Sequence, residues 1–169
     1  MEFDLASANL GATPPTAWTA GTSPAARGYL FDATGESMTL QCVVPANFSD
    51  DADLALEMWW VLNTAETAAD DIDVDCNWIS VTPGVDAINK TSTAATAGAT
   101  DIGAVNGQYD THKVSITIDY DDATNPVDAG DVLLMEINRK TMGGAGYCAG
   151  TALIAARLVY PQKIRHARA

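Results

Sequence analysis

Asp71-Ile72-Asp73-Val74-Asp75-Cys76-Asn77-Trp78 switches between polar and apolar residues at every position. A period of two marks a half-buried antiparallel strand, because successive side chains leave opposite faces of a sheet. Asp71, Asp73, Asp75 and Asn77 are thus expected on an acidic, solvated face, and Ile72, Val74, Cys76 and Trp78 on a face turned to a core. The same alternation recurs on both sides of this stretch. Residues 37–44 place Met38, Leu40, Cys42 and Val44 together and stop at Pro45. Residues 54–63 place Leu54, Leu56, Met58, Trp60 and Leu62 together, and 112–120 do the same for Val114, Ile116, Ile118 and Tyr120. Residues 131–139 offer Leu133, Met135 and Ile137, residues 152–160 offer Ile154, Ala156, Leu158 and Tyr160, and 27–32 pairs Tyr29 with Phe31. Breakers separate these runs, which predicts an all-β, antiparallel jelly-roll-like β-sandwich.

The remaining segments set the expected organisation. Residues 1–26 are poor in aliphatics and contain Pro14-Pro15, which oppose helix and central strand alike, so they read as an extended N-terminal arm anchored by Trp18. Residues 27–161 form the β-sandwich domain, and 162–169 a basic C-terminal tail. Within 86–107 the glycines weaken any long helix, and the stretch reads as one weak strand at 87–90 followed by a long small-residue loop. Residues 63–70 have room for one helical turn. Trp59 and Trp60 are adjacent, so in a strand they face opposite sides. Trp60 fills the core, and Trp59 requires cover from the arm, a loop or another subunit.

The chain has 169 residues, 22 acids and 9 bases, for a net charge of −13. That length suits one domain with a core that needs no disulfide or metal. The field disfavours nucleic acid and anionic membrane. No run approaches a membrane-spanning length. Met1-Glu2-Phe3-Asp4 lacks a basic and apolar leader, which leads us to expect synthesis in a cytoplasm. Lys163, Arg165 and Arg168 gather beside His166 in the tail. Of the three cysteines, Cys42 and Cys76 fall on apolar strand faces as small core residues, with a bridge between them left open, and Cys148 reads as a small loop residue.

Motifs for chemistry are not found. Asp71-Ile72-Asp73-Val74-Asp75 resembles the start of a calcium loop, but Cys76 and Thr82 stand where the sharp-turn Gly and the bidentate Glu are needed. Asp119, Asp121 and Asp122 read as a solvated turn. His112 opens a strand as a surface histidine with no base or nucleophile that sequence can place beside it. There is no P-loop, dinucleotide fingerprint or H-E-x-x-H. Asn47-Phe48-Ser49 and Asn89-Lys90-Thr91 match the glycosylation triplet and read as accidental. The expectation is a protein with no catalytic residue, no cofactor and no metal, and one that is not an enzyme.

The order of motifs resembles a known family. Val43-Val44-Pro45-Ala46-Asn47-Phe48 precedes Glu57-Met58-Trp59-Trp60; later come Asp128-Ala129-Gly130-Asp131, a strand ending at Arg139, and a last strand with Arg157 and Tyr160. Over about residues 37–161 this is similar to β-sandwich structural proteins of tailed bacteriophages, found as capsid decoration (cement) proteins and as head-fibre or tail-fibre tips. The chain departs from that pattern where Thr141-Met142-Gly143-Gly144 replaces an Asp-rich loop. The resemblance implies a virion protein on the capsid exterior, partnered by the major capsid protein and by copies of itself, as a trimer. Trp18, Trp59, Lys163, Arg165 and Arg168 are the expected contact residues, and Arg139 and Arg157 are expected to pair with carboxylates. A glycan-binding fibre-tip module is the alternative that the same resemblance carries.

Overall fold

Leu54, Leu56, Met58, Trp60 and Leu62 on one strand and Ile72, Val74, Cys76 and Trp78 on the next are at most 1% exposed, so the two alternating runs face each other across one core. The structure, a computed structural model, describes residues 1–22, 24–66, 71–103, 107–141 and 147–163, without the side chains of 96–99 and 141. In chain order the strands are β1 (Asn9–Leu10), β2 (Thr16–Ala20), β3 (Ala26–Phe31), β4 (Ser37–Val43) and β5 (Leu54–Leu62). They continue as β6 (Asp71–Val81), β7 (Thr93–Asp101), β8 (Thr111–Ile118), β9 (Val132–Thr141) and β10 (Thr151–Val159). A 3₁₀ turn spans Leu5–Ser7. Among the described residues no helix is long and apolar enough to cross a membrane.

Two five-stranded antiparallel sheets, β1-β4-β9-β6-β7 and β2-β3-β10-β5-β8, stack as a jelly-roll-like β-sandwich. Their inner faces share one apolar core, in which Phe31 meets the Trp60 ring edge-on at 5.2 Å. Burying Trp60 or Trp78 removes roughly 150–250 Å² from water, on the order of 4–6 kcal/mol each as an upper estimate. Cys42 and Cys76 lie on strands that flank β9 from opposite sides, Cys42 opposite Leu133 and Cys76 opposite Ile137. Two strand spacings, about 9–10 Å, exceed what a disulfide spans. Cys42 and Cys76 are free thiols, and burial pushes Cys42 up to about 11 and Cys76 up to about 12.

Apart from the 3₁₀ turn at Leu5–Ser7, residues 1–22 run along the sandwich and give each sheet an edge strand, β1 and β2. Several local expectations need correction. Residues 87–90 form turns; the strand is β7, drawn from the Thr/Ala run 93–101, whose Thr residues suit an edge position beside β6. Asp73 is 6% exposed where solvent was expected, because the register of β6 slips there against both neighbours. Ile154 leaves the inner face: a bulge between Leu153 and Ala155 inserts one residue, so Leu153 enters the core and Ile154 turns outward. Arg139 is fully buried, donating to the carbonyls of Asp73 (3.4 Å) and Cys148 (3.0 Å). Cys148 is itself buried, since that loop segment folds against the core. Residues 63–66 form no helix, and 67–70 lie outside the described residues.

Candidate functional site

Beside the bulge in β10 the sandwich opens. β3 pairs with β10 only through Thr151, Ala152 and Leu153. Beyond the bulge, residues 1–3 take over that flank: the Phe3 N–H donates to the Ala156 carbonyl at 3.0 Å, and the Leu158 N–H to that of Met1 at 2.8 Å. β3 and the N-terminal segment are therefore parted beside Ile154 and Ala155, and a groove of about 610 Å³ opens between them. Its walls include Phe3, Trp18, Tyr29 and Ile154, and its charged groups are Asp4 and Arg27. Gly28 allows β3 this close approach before it diverges: a Cβ there would stand 2.2 Å from the Leu153 carbonyl oxygen. The volume falls within the roughly 300–1,000 Å³ usual for ligand clefts, and a mostly apolar wall with a few polar groups is their usual make-up.

Trp18 borders the groove from the face of the β2–β3 pair opposite Tyr29, since it stands across from Gly28. It packs with Val61 and Ala152 on the outer face of the β2-β3-β10-β5-β8 sheet, and its indole N–H donates to Asn63 Oδ1 at 2.9 Å. Tyr109 extends this aromatic surface, its ring centroid 6.3 Å from that of Trp18 and tilted by 55°. Tyr109 is 53% exposed and has a φ of 76°, a left-handed conformation that costs a residue with a side chain about 1–2 kcal/mol. Neighbouring bonds impose it: the Asp110 N–H donates to the Gly107 carbonyl, and that of Tyr109 to the Leu62 carbonyl at 2.9 Å.

Trp59 lies one strand from the groove, opposite Ala155 in register. It is half-buried, and its cover is Arg157 from β10, whose guanidinium carbon sits 5.1 Å from the ring centroid. Glu57 fixes that guanidinium, accepting from Arg157 Nε at 2.6 Å and from Lys113 Nζ at 2.7 Å. These hydrogen bonds, from Lys113 and then Arg157, hold the Glu57 carboxyl below its ordinary value. Trp59, Arg157, Glu57 and Lys113 thus form a preset aromatic and charged ledge beside the groove.

Of the residues expected to make contacts, Trp18 and Trp59 come to the same sheet face. Lys163 stands apart, paired with Asp50 at 3.1 Å, and Arg165 and Arg168 lie outside the described residues. Phe3, Arg27, Tyr29 and Tyr109 were not foreseen as site residues. Gly28 inside an alternating run was the available signal, since an isolated glycine in a strand marks a bulge or a close backbone approach. His112, expected at the surface, is partly buried with Nε2 unpartnered, because it lies opposite Trp60 at the end of β8. Asp119 and Asp122 accept hydrogen bonds from nearby backbone N–H groups as turn residues. Among the described residues no three His, Cys, Asp or Glu side chains converge to hold a metal ion.

No family model matches this sequence, and no curated protein does. Solved structures do. The chain is similar to a xylan-binding module, CBM15, with 14% identity, 97% of each chain covered and a TM-score of 0.52. It also matches the CBM36-1 domain of a multidomain xylanase from the hindgut metagenome of Trinervitermes trinervoides, with 9% identity, 97% and 98% coverage and a TM-score of 0.49. A third match is a carbohydrate binding module from Cellvibrio mixtus lichenase 5A in complex with cellotriose, with 12% identity, 98% coverage of both chains and a TM-score of 0.47. At these identities the likeness is one of fold.

Proposed function

We propose that this protein is a non-catalytic glycan-binding module, and that saccharide is taken by the groove between β3 and the N-terminal segment. The single observation that carries the reading is the groove itself, about 610 Å³ with Phe3, Trp18 and Tyr29 in its walls. Sugar rings present apolar C–H faces and polar edges, so they pack against aromatic rings while hydroxyls reach polar groups at the rim. Asp4 and Arg27 supply such groups inside the groove, and Trp59 with Arg157 extends an aromatic surface beside it. Trp18 and Tyr29 stand on paired strands, β2 and β3, so little ordering entropy opposes binding. A fold shared with a xylan-binding module is compatible with this use, although a fold alone does not specify a ligand.

Binding to a panel of neutral and acidic plant, fungal and bacterial polysaccharides, by affinity electrophoresis and then calorimetry, tests the reading. Thr19→Trp, which fills the groove from an exposed position on an edge strand, and Trp59→Ala are each expected to weaken binding by about tenfold or more. Wild-type protein that binds no saccharide, or full binding by Thr19→Trp, overturns it.

A second reading is the capsid decoration role implied by the resemblance over residues 37–161. On its side stand Val85 and Ile88, 80% and 67% exposed on the turn after β6, as apolar side chains available for protein contact. Co-sedimentation with undecorated tailed-phage heads tests it, and a Val85→Ser, Ile88→Ser variant is expected to lose that co-sedimentation.

A further inference from the structure

Among the described residues the cationic side chains of this acidic chain are almost all satisfied. Among the described residues Lys90, Lys113, Lys140, Arg157 and Lys163 each meet a carboxylate within 3.4 Å, and Arg139 is buried against two carbonyls. Arg27 is the exception. It is exposed, lines the groove and has no hydrogen-bond or ion-pair partner among the described residues, in a chain with 22 acids against 9 bases. Asp4, the acid nearest in kind on the opposite wall, does not come within ion-pair distance of it. Its Oδ1 is engaged by the Ala6 N–H at 3.0 Å, as the cap of the 3₁₀ turn.

From this placement we infer that the groove is selective for saccharides carrying a carboxylate, such as uronic acids, with Arg27 as the group that receives it. This deepens the glycan-binding reading above and rests on it. A guanidinium offers a planar fork that matches a carboxylate with two parallel hydrogen bonds, while sugar hydroxyls make weaker neutral bonds. Register places Arg27 opposite Thr19 across β2 and β3, two residues from Tyr29 on the same strand face. A carboxylate on Arg27 therefore holds the attached ring toward Tyr29 and the Phe3 wall. The overall negative charge of the protein acts against polyanions at long range. Screening over about 8 Å at physiological salt confines that repulsion, and a short-range pair in the groove survives it.

The test compares glucuronoxylan and homogalacturonan with the same two polymers after chemical reduction of their carboxyl groups. Calorimetry is run on wild-type protein, Arg27→Gln and Arg27→Lys. Wild-type protein is expected to prefer the acidic form of a polymer by about tenfold or more, the range of a hydrogen-bonded charge. Arg27→Gln abolishes the preference, lowering affinity for the acidic form by more than for the reduced form, and Arg27→Lys retains part of the preference. Equal wild-type affinity for acidic and reduced forms overturns the inference and leaves the glycan reading standing. So does a preference that persists in Arg27→Gln, or an Arg27→Gln loss that is the same for both forms. No binding to any of the four polymers, nor to the wider panel, removes both. Arg27 is exposed and unpartnered, so its variants are expected to keep the wild-type circular dichroism.

Discussion

Glu57 shows how one side chain organises the ledge beside the groove. It receives Arg157 and Lys113 together, and Arg157 in turn covers Trp59. Its carboxyl is held below the ordinary value by those two cations, Lys113 first. A depressed carboxyl contributes stability that is fully present above the unfolded value, about 4.3 for Glu, and is lost as pH falls through the folded one. Glu57→Gln is therefore expected to destabilise at neutral pH and to approach wild type as pH falls below about 4. Urea midpoints between pH 3 and 7 measure this; a difference that does not shrink in acid contradicts it. Tyr109 is a second residue-scale feature, a strained backbone that keeps an exposed ring against Trp18. Strain of this kind persists only where surrounding bonds overdetermine it, as the turn at 107–110 does. Alternation does not reveal either residue. Glu57 and Tyr109 acquire their roles from strands and turns far away in sequence.

At the scale of elements, the bulge in β10 decides where the site lies. It turns Ile154 outward, ends the pairing with β3 and leaves the flank that residues 1–3 occupy. Gly28 sits at the point of closest approach, where an added Cβ meets backbone atoms at 2.2, 3.0 and 3.2 Å. Backbone cannot swing aside as a side chain can, so β3 has to move. Gly28→Ala is expected to cost about 1–3 kcal/mol in urea unfolding and to narrow or displace the groove wall. A variant as stable as wild type would show that β3 is free to shift there. β7 carries the opposite lesson. Its Thr/Ala/Gly run lacks the large apolar residues that make a strand legible, yet β6 supplies the hydrogen-bonding partner that makes it one. Strand propensity is weak compared with the pairing available on a sheet edge.

For the whole molecule, the first residues belong to the sandwich as fully as the central strands do. Met1 and Phe3 exchange backbone hydrogen bonds with β10, Leu5 is 9% exposed within the core cluster, and β1 and β2 close one edge of each sheet. Removing residues 1–8 strips one flank of β10 and one wall of the groove. The loss of Leu5 burial with two to three backbone hydrogen bonds is expected to cost about 3 kcal/mol or more. Chemical unfolding of the truncated protein checks it, and stability equal to the full chain would mean that this segment does not stay docked. Saccharide binding should fall with it, because Phe3 and Asp4 leave the site.

What the linear chain determined was the class of fold, the division of inner from outer residues along β4, β5, β6, β8 and β9, and the pairing of Trp60 with the core and Trp59 with the outside. These follow from a period of two, which is a local property that each strand carries by itself. What only the tertiary structure decided was the flaw in that pattern and its consequences: the bulge at Ile154, the parting of β3 from β10, and the gathering of Phe3, Trp18, Arg27 and Tyr29 around one groove. The physical reason is that side-chain alternation reports which face a residue takes. Pairing partners and register slips depend on strands distant in sequence, and it is there that the site is made.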